Sequence, residues 1–204
     1  MVGNAGTTNT AAFDDLEALA DLCESEGLWY HVDGAFGALA ALSPSVRDRV
    51  KGMERADSLA FDLHKWFYAP FEVGGVLIRR QQEHYQAFTM TPDYLKHSQR
   101  GLAGGELWFG DYGLQLTRGF RALKVWMALK AHGVEKYGRL IEQNVAQARY
   151  LAALVDAEPR LERLAPVFNV VAFRVLADGL DGDALNAFNE EVLTRLQEGG
   201  VAMP

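Results

Sequence analysis

The sequence predicts an α/β fold: a mostly parallel sheet within residues 1–133, then a smaller α+β unit over residues 134–204. Three observations carry this prediction. A helical period, a glycine stop and a short apolar strand follow one another between Asp14 and Asp33. Two further strand-like runs, Ser58–Asp62 and 72–80, come after them. Beyond Gly133 the order changes to a long helix, one strand and another helix.

Each element has its own signal. The chain opens on Met1 and Val2 and runs at once into "GNAGTTNT", a Gly/Asn/Thr loop with no room for a strand before it. Asp14, with Glu17 three residues on, resembles a capping box with Asp in the Ser/Thr place. Leu16, Leu19, Ala20 and Cys23 then make one apolar face at helical spacing, and Gly27 ends that helix. "LWYHVD", residues 28–33, reads as a strand that leads into the small-residue turn "GAFGALAAL". Ser58–Asp62 is the next strand. "EVGGVLIRR", residues 72–80, is another, its paired glycines marking close backbone approach or a bend. Residues 81–117 are rich in Gly and polar side chains and lack a period, as expected of a binding loop or lid, with a mobile loop around 90–106. Helical patterns resume over 118–132, stopped by Gly133, and over Val134–Ala157. Residues 169–175 read as a strand and 183–198 as an amphipathic helix. The far end stops at "GGVAMP", where a strand should begin, so both ends read as cut through a fold.

Composition narrows the classes. Of 204 residues, 49% are hydrophobic and 23% charged, which suits a packed core rather than disorder. A formal charge of -7 argues against a nucleic-acid or anionic-membrane surface as the main partner. Cys23 is the single cysteine, so no disulfide forms within the chain, and a reducing cytoplasm is the expected setting. No apolar run reaches transmembrane length, and no signal-peptide pattern opens the chain.

The chemistry gathers at predicted strand ends. Asp33 closes the strand in "HVDGA", where open α/β sheets place their ligands; a carboxylate there suits a metal, a ribose hydroxyl or a protonated heterocycle. In "SLAFDLHKWFY" an apolar strand ends in Asp62, and His64 and Lys65 stand side by side against Trp66. A pyridoxal phosphate enzyme needs a lysine amine for its Schiff base and an acid to keep the pyridine nitrogen protonated. Ala35 is small enough to let a ring lie against the strand end, and Thr8 lies on an earlier loop of the same kind. An acidic strand end followed by His-Lys at a later strand end is more specific than any one of these residues. Arg118, Arg121 and Lys124 recur at helical spacing and read as a solvated or interface face.

These residues lie in stretches that resemble the group II pyridoxal-phosphate-dependent amino-acid decarboxylases, the family of aromatic-L-amino-acid and glutamate decarboxylases. The matching stretches are "GTTNTAAFDDL", "HVDGAFG", "ADSLAFDLHKW", "TPDYLKH" and "LTRGFRALKVW", in family order and spacing. The resemblance implies part of the large domain of the type I, aminotransferase-like fold, followed by an incomplete small C-terminal α+β domain. It implies Lys65 as the Schiff-base lysine, Asp33 on the pyridine nitrogen, Ala35 against the ring, Thr8 and His64 lining the cofactor, and Asp62 near its phosphate. Many relatives carry Asn-Pro where this chain has Asp62-Leu63. Tyr94 matches a loop tyrosine that returns a proton to the substrate carbon after CO2 leaves; relatives with phenylalanine there tend toward aldehyde formation.

The same resemblance implies a full chain more than twice this length and a homodimer. It assigns to the absent N-terminal half the group stacked on the outer ring face and most of the phosphate-binding loop. The expected reaction is decarboxylation of an L-amino acid to amine and CO2, with an aromatic or bulky substrate; many aromatic-amino-acid relatives carry glycine or serine near Thr117, whose methyl narrows the pocket and whose hydroxyl can meet a polar substituent. A glutamate- or aspartate-type decarboxylase, an aldehyde synthase and an inactive, cofactor-free fragment are the alternatives.

Overall fold

In the computed structural model, which describes residues 1–89, 100–101, 104–105 and 107–203, four strands form one sheet in chain order. They are β1 (Val2–Asn4), β2 (His31–Asp33), β3 (Ser58–Asp62) and β4 (Gly74–Ile78). β1 pairs parallel with β2, and β2 with β3, in a register that sets Asn4 beside Asp33 and Asp33 beside Ala60. β4 turns back antiparallel on β3, because the intervening segment is too short for a helical crossover. The mostly parallel sheet expected from the sequence is therefore present, with one antiparallel edge. β1 was not expected. β2 supplies its ladder, and Gly3 has no side chain to collide with Leu19 and Leu16, whose methyls would lie 2.9 and 3.0 Å from a Cβ.

Helix α1 (Leu16–Glu26) covers the sheet with Leu16, Ala20 and Cys23 buried and Leu19 packed beside them. Its N-cap is Asp15, whose carboxylate accepts the Ala18 N–H at 3.0 Å, not Asp14. Asp14 is drawn away by β1, accepting from the Asn4 backbone N–H at 2.8 Å, and Glu17 pairs with Lys51 at 2.8 Å. Gly27 ends the helix at φ 62°, a left-handed cap that costs glycine nothing. The small-residue run after β2 becomes a 3-10 turn, Gly37–Leu42, with Gly37 to Ala40 buried.

Residues 81–89, expected to open a loop, hold a helix instead. This is helix α2 (Gln81–Phe88), which buries no residue and so has no long apolar period to announce it. His84 packs edge-on against both Phe88 and Tyr112. Helix α3 spans Arg121–His132, three residues shorter at its start than the pattern suggested, and stops at Gly133. Helix α4 is Val134–Ala157, with Tyr137, Ile141, Val145, Ala148, Ala152 and Val155 on its buried face. Gly138 lets α4 seat on the 37–42 turn, since a Cβ there would stand 2.5 Å from the Leu42 carbonyl oxygen. One core joins the sheet, α1 and the first half of α4 through Leu16, Val32, Trp66, Phe67, Tyr137 and Ile141.

The last segment pairs β5 (Leu161–Arg163) antiparallel with β6 (Phe173–Val175) and ends in α5 (Gly182–Glu198). Only the final residues of the expected 169–175 strand join a ladder, and its partner β5 had no signal of its own. Asn189 of α5 locks onto β6, accepting the Val175 N–H at 2.8 Å and donating to the Val175 carbonyl at 3.0 Å. Among the described residues, no helix is long and apolar enough to cross a membrane.

Candidate active site

Because β1, β2 and β3 run parallel, their carboxyl ends open on one edge of the sheet, and the loop after each strand carries part of the site. Three backbone hydrogen bonds stitch these loops together: Ala5 N–H to the Asp33 carbonyl at 2.8 Å, Gly34 N–H to Ala60 at 2.9 Å and Asp62 N–H to Ala35 at 3.1 Å. Asp33 is exposed at the end of β2 and accepts the Ala35 N–H at 3.1 Å through Oδ1. Ala35 is half-buried beside it. Thr8 is exposed on the loop after β1, where its neighbour Thr7 closes the turn by accepting the Ala12 N–H at 3.0 Å.

The loop after β3 is the densest part. Lys65 Nζ lies 2.8 Å from Asp62 Oδ2, and His64 Nε2 lies 4.0 Å from the same oxygen. Lys65 is exposed, but Trp66 and Phe67, which follow it, are 4% and 3% exposed. Trp66 donates to Asn144 Oδ1 of α4 at 2.9 Å, and Phe67 stacks on Tyr137 with ring centres 4.0 Å apart. Phe36 stacks on the other side of Trp66 at 5.2 Å. The lysine thus stands on a turn pinned by the two aromatic residues that follow it, with its exposed amine paired to Asp62. A cleft of about 590 Å³ opens between this turn, α4 and residues 169–171, with Lys65, Phe36 and Trp66 in its wall.

His64 is held from behind. Its Nδ1 lies 3.1 Å from the Val73 N–H nitrogen and 2.8 Å from the Val73 carbonyl oxygen, and its ring meets Phe71 edge-on at 5.0 Å. The structure therefore brings Asp33, Ala35, Asp62, His64, Lys65 and the Thr8 loop to one sheet edge. Tyr94 and most of the loop expected around 90–106 lie outside the described residues.

The sequence of residues 1–176 matches the profile described as the pyridoxal-dependent decarboxylase conserved domain. This chain belongs to the pyridoxal-dependent decarboxylase family. An aromatic-L-amino-acid decarboxylase of Bacillus atrophaeus is 39% identical over the whole of this chain, which spans 42% of that protein. A phenylacetaldehyde synthase of Arabidopsis thaliana is 32% identical over 98% of this chain and 41% of its own length. The crystal structure of Oryza sativa TDC with PLP and tryptamine superposes with a TM-score of 0.88 at 30% identity, covering 98% of this chain and 41% of that one. The chain thus spans about two-fifths of the length of such decarboxylases, and the type I fold expected from the sequence is the fold found.

The cofactor of this decarboxylase family is pyridoxal phosphate. The donor set fits it. A primary amine and a carboxylate stand on adjacent strand ends, with the small Ala35 beside the carboxylate. Asp33 Oδ2 has no hydrogen-bond partner among the described residues, so the carboxylate keeps an acceptor for a ring N–H. Among the described residues no cluster of His, Cys, Asp or Glu suits a metal ion.

Sequence reasoning overlooked the support behind His64. Arg121, read as part of a solvated or interface face, binds the Glu72 carboxylate through Nε at 3.1 Å and through Nη2. Lys124, read the same way, donates to the Pro70 carbonyl at 2.8 Å. The guanidinium holds Glu72 below the usual carboxylate range, first by its hydrogen bond and then by its charge. Helical spacing revealed that these cations share a face; it could not reveal that the face meets residues 70–72.

Proposed function

We propose that the protein to which this chain belongs decarboxylates an aromatic or otherwise bulky L-amino acid to the amine and CO2, using pyridoxal phosphate. The observation that carries the reading is the Lys65–Asp62 pair on the loop after β3, at the same sheet edge as the Asp33 carboxylate. When bound, the cofactor supplies the electron sink for the pair released as the bond between Cα and the carboxylate breaks. Lys65 holds the cofactor through its amine. Asp33 keeps the ring nitrogen protonated by its negative charge. Ala35 packs on the ring, and Thr8 and His64 line it. Tyr94 returns a proton to Cα as a phenol acid. Asp62 takes a role other than phosphate neighbour: its carboxylate would repel a phosphate, and in this chain it neutralises Lys65.

The portion before α4 is read as the cofactor-binding part and residues 134–204 as the smaller domain, a division supported by the separate sheets β1–β4 and β5–β6. A homodimer is supported by apolar side chains left exposed on α3, Trp126 and Met127 among them. A reducing cytoplasm suits the free, buried thiol of Cys23. The second reading, an aldehyde synthase, is favoured by the likeness to the Arabidopsis enzyme.

The test begins with the protein and pyridoxal phosphate. A visible absorbance band is expected, and borohydride should abolish it while fixing the cofactor's mass on the peptide that contains Lys65. L-Tryptophan, L-tyrosine and L-glutamate are then supplied in turn, and amine, CO2, aldehyde and ammonia are measured. Amine and CO2 in equal amounts support decarboxylation, whereas aldehyde with ammonia supports the synthase. Tyr94→Phe should move the product from amine toward aldehyde. A borohydride label on a different lysine would remove the basis of the reading.

A further inference from the structure

Segment 70–73 runs back from the Lys65 turn toward β4, and among the described residues its side-chain hydrogen bonds come from α3 and from His64. Glu72 is bound by Arg121, and the Pro70 carbonyl by Lys124. Phe71 is 81% exposed and touches the ring of His64 edge-on. Val73 is 3% exposed and presents both its N–H and its carbonyl to His64 Nδ1. The Val73 carbonyl also accepts the backbone N–H groups of Leu63 at 3.0 Å and His64 at 3.2 Å, so this one peptide seats both the loop and the ring. With Nδ1 occupied, Nε2 is the ring nitrogen left to face Asp62.

We propose that Arg121 and Lys124 are positioning residues: by holding segment 70–73 they fix the His64 imidazole, with Nδ1 on the Val73 peptide and Nε2 toward Asp62 and Lys65. The Val73 carbonyl already accepts two backbone N–H groups, so the partner it leaves for the ring is the Val73 N–H: Nδ1 accepts, and the proton sits on Nε2, toward Asp62. Two cations share the task because each holds a different atom type. Arg121 grips a side-chain carboxylate, and Lys124 grips a backbone carbonyl two residues earlier. The placing of His64 in a cofactor site rests on the function proposed above; its fixation by α3 does not.

The experiment is ring 15N NMR of the protein labelled at histidine, read without cofactor. In the unaltered protein His64 should show two well-separated ring nitrogen resonances, one bonded to a proton and one not. Arg121→Glu should draw the two resonances together as the ring samples both tautomers, and Lys124→Met should do so less strongly. The reversed pair, Glu72→Arg with Arg121→Glu, should restore the separation, which a general loss of packing would not. A folded Arg121→Glu protein with the original separation would overturn the proposal, as would merged resonances in the unaltered protein. Should Arg121→Glu fail to fold, Lys124→Met decides: unchanged resonances there overturn it and converging ones support it. Cofactor binding is scored separately by visible absorbance, so a protein that passes the NMR test yet takes up no pyridoxal phosphate contradicts the function and leaves the positioning intact.

Discussion

Asp33 and Asp62 are both carboxylates at the ends of neighbouring strands, yet their surroundings assign them different work. Asp33 is exposed, bonded only through Oδ1 to a backbone N–H among the described residues, and keeps its charge available to an incoming group. Asp62 is committed to Lys65. If the charge of Asp33 is worth about 3 kcal/mol in the transition state, Asp33→Asn lowers kcat by on the order of 100-fold in the whole enzyme. Turnover within a factor of about two of the original would remove Asp33 from that role. Much of this was legible in the sequence, because His-Lys after an apolar run and Asp-Gly after another are local patterns. The partner of Lys65 was not. That Asp62 turns to the amine depends on the turn formed by residues 62–69, whose backbone hydrogen bonds no spacing rule displays. The capping aspartate of α1 was misjudged for the same reason: Asp14 and Asp15 are equivalent as letters, and only β1 distinguishes them.

At the scale of elements, α1, α3 and α4 were readable from apolar spacing and a flanking glycine, although α3 buries no residue, and α2 was not readable. α1 and α4 show apolar residues at helical spacing and stop at or start from glycine. α2 buries no residue and offers only a short aromatic side, Tyr85 and Phe88, and it was taken for loop. α4 matters most to the site, because Tyr137 and Asn144 pin Phe67 and Trp66, the two residues that follow Lys65. Its seating can be tested at Gly138. Replacing glycine by alanine inside a helix ordinarily favours the helix by about 1 kcal/mol. Here the new methyl would stand 2.5 Å from the Leu42 carbonyl, a backbone atom that cannot swing aside. Gly138→Ala is therefore expected to destabilise the protein by about 1–3 kcal/mol and to lower Tm by roughly 2–12 °C. A Tm that rises would mean that α4 slides freely on the turn.

Across the whole molecule, stability is bounded by acid at one end and by base at the other. Glu72 and Asp156 are held below their usual values of 4.5 and 3.8, each chiefly by a hydrogen bond from an arginine, Arg121 and Arg163. A depressed folded pKa adds stability above the unfolded value, and the contribution is lost as pH falls through the folded one. These pairs are surface pairs, so their share is small and weakens with salt. Tyr30 is the opposite case. Burial pushes its phenol to about 12, and its hydroxyl donates to the Leu16 carbonyl at 3.0 Å. Its contribution is complete below pH 10 and disappears as pH rises toward about 12. Thermal scans across pH should thus give a plateau that falls below about pH 4.5 and again above about pH 10, and Tyr30→Phe should flatten the alkaline fall. An alkaline fall unaltered in Tyr30→Phe would assign it to other groups.

α4 has one more consequence, which is mechanical. Its first half is fixed in the core beside the Lys65 turn, while Asp156 near its far end grips Arg163 of β5 at 2.8 Å. From Tyr137 to Ala157 the helix is about 30 Å long. A rotation of about 5° at the core end would swing the far end by about 2.6 Å, carrying β5 and its partner strand along. A shift of about 0.3 Å where Trp66 meets Asn144, roughly 10 Å along the helix from Tyr137, corresponds to a tilt of about 2° and is geared up by the lever to about 0.9 Å at the end that grips β5.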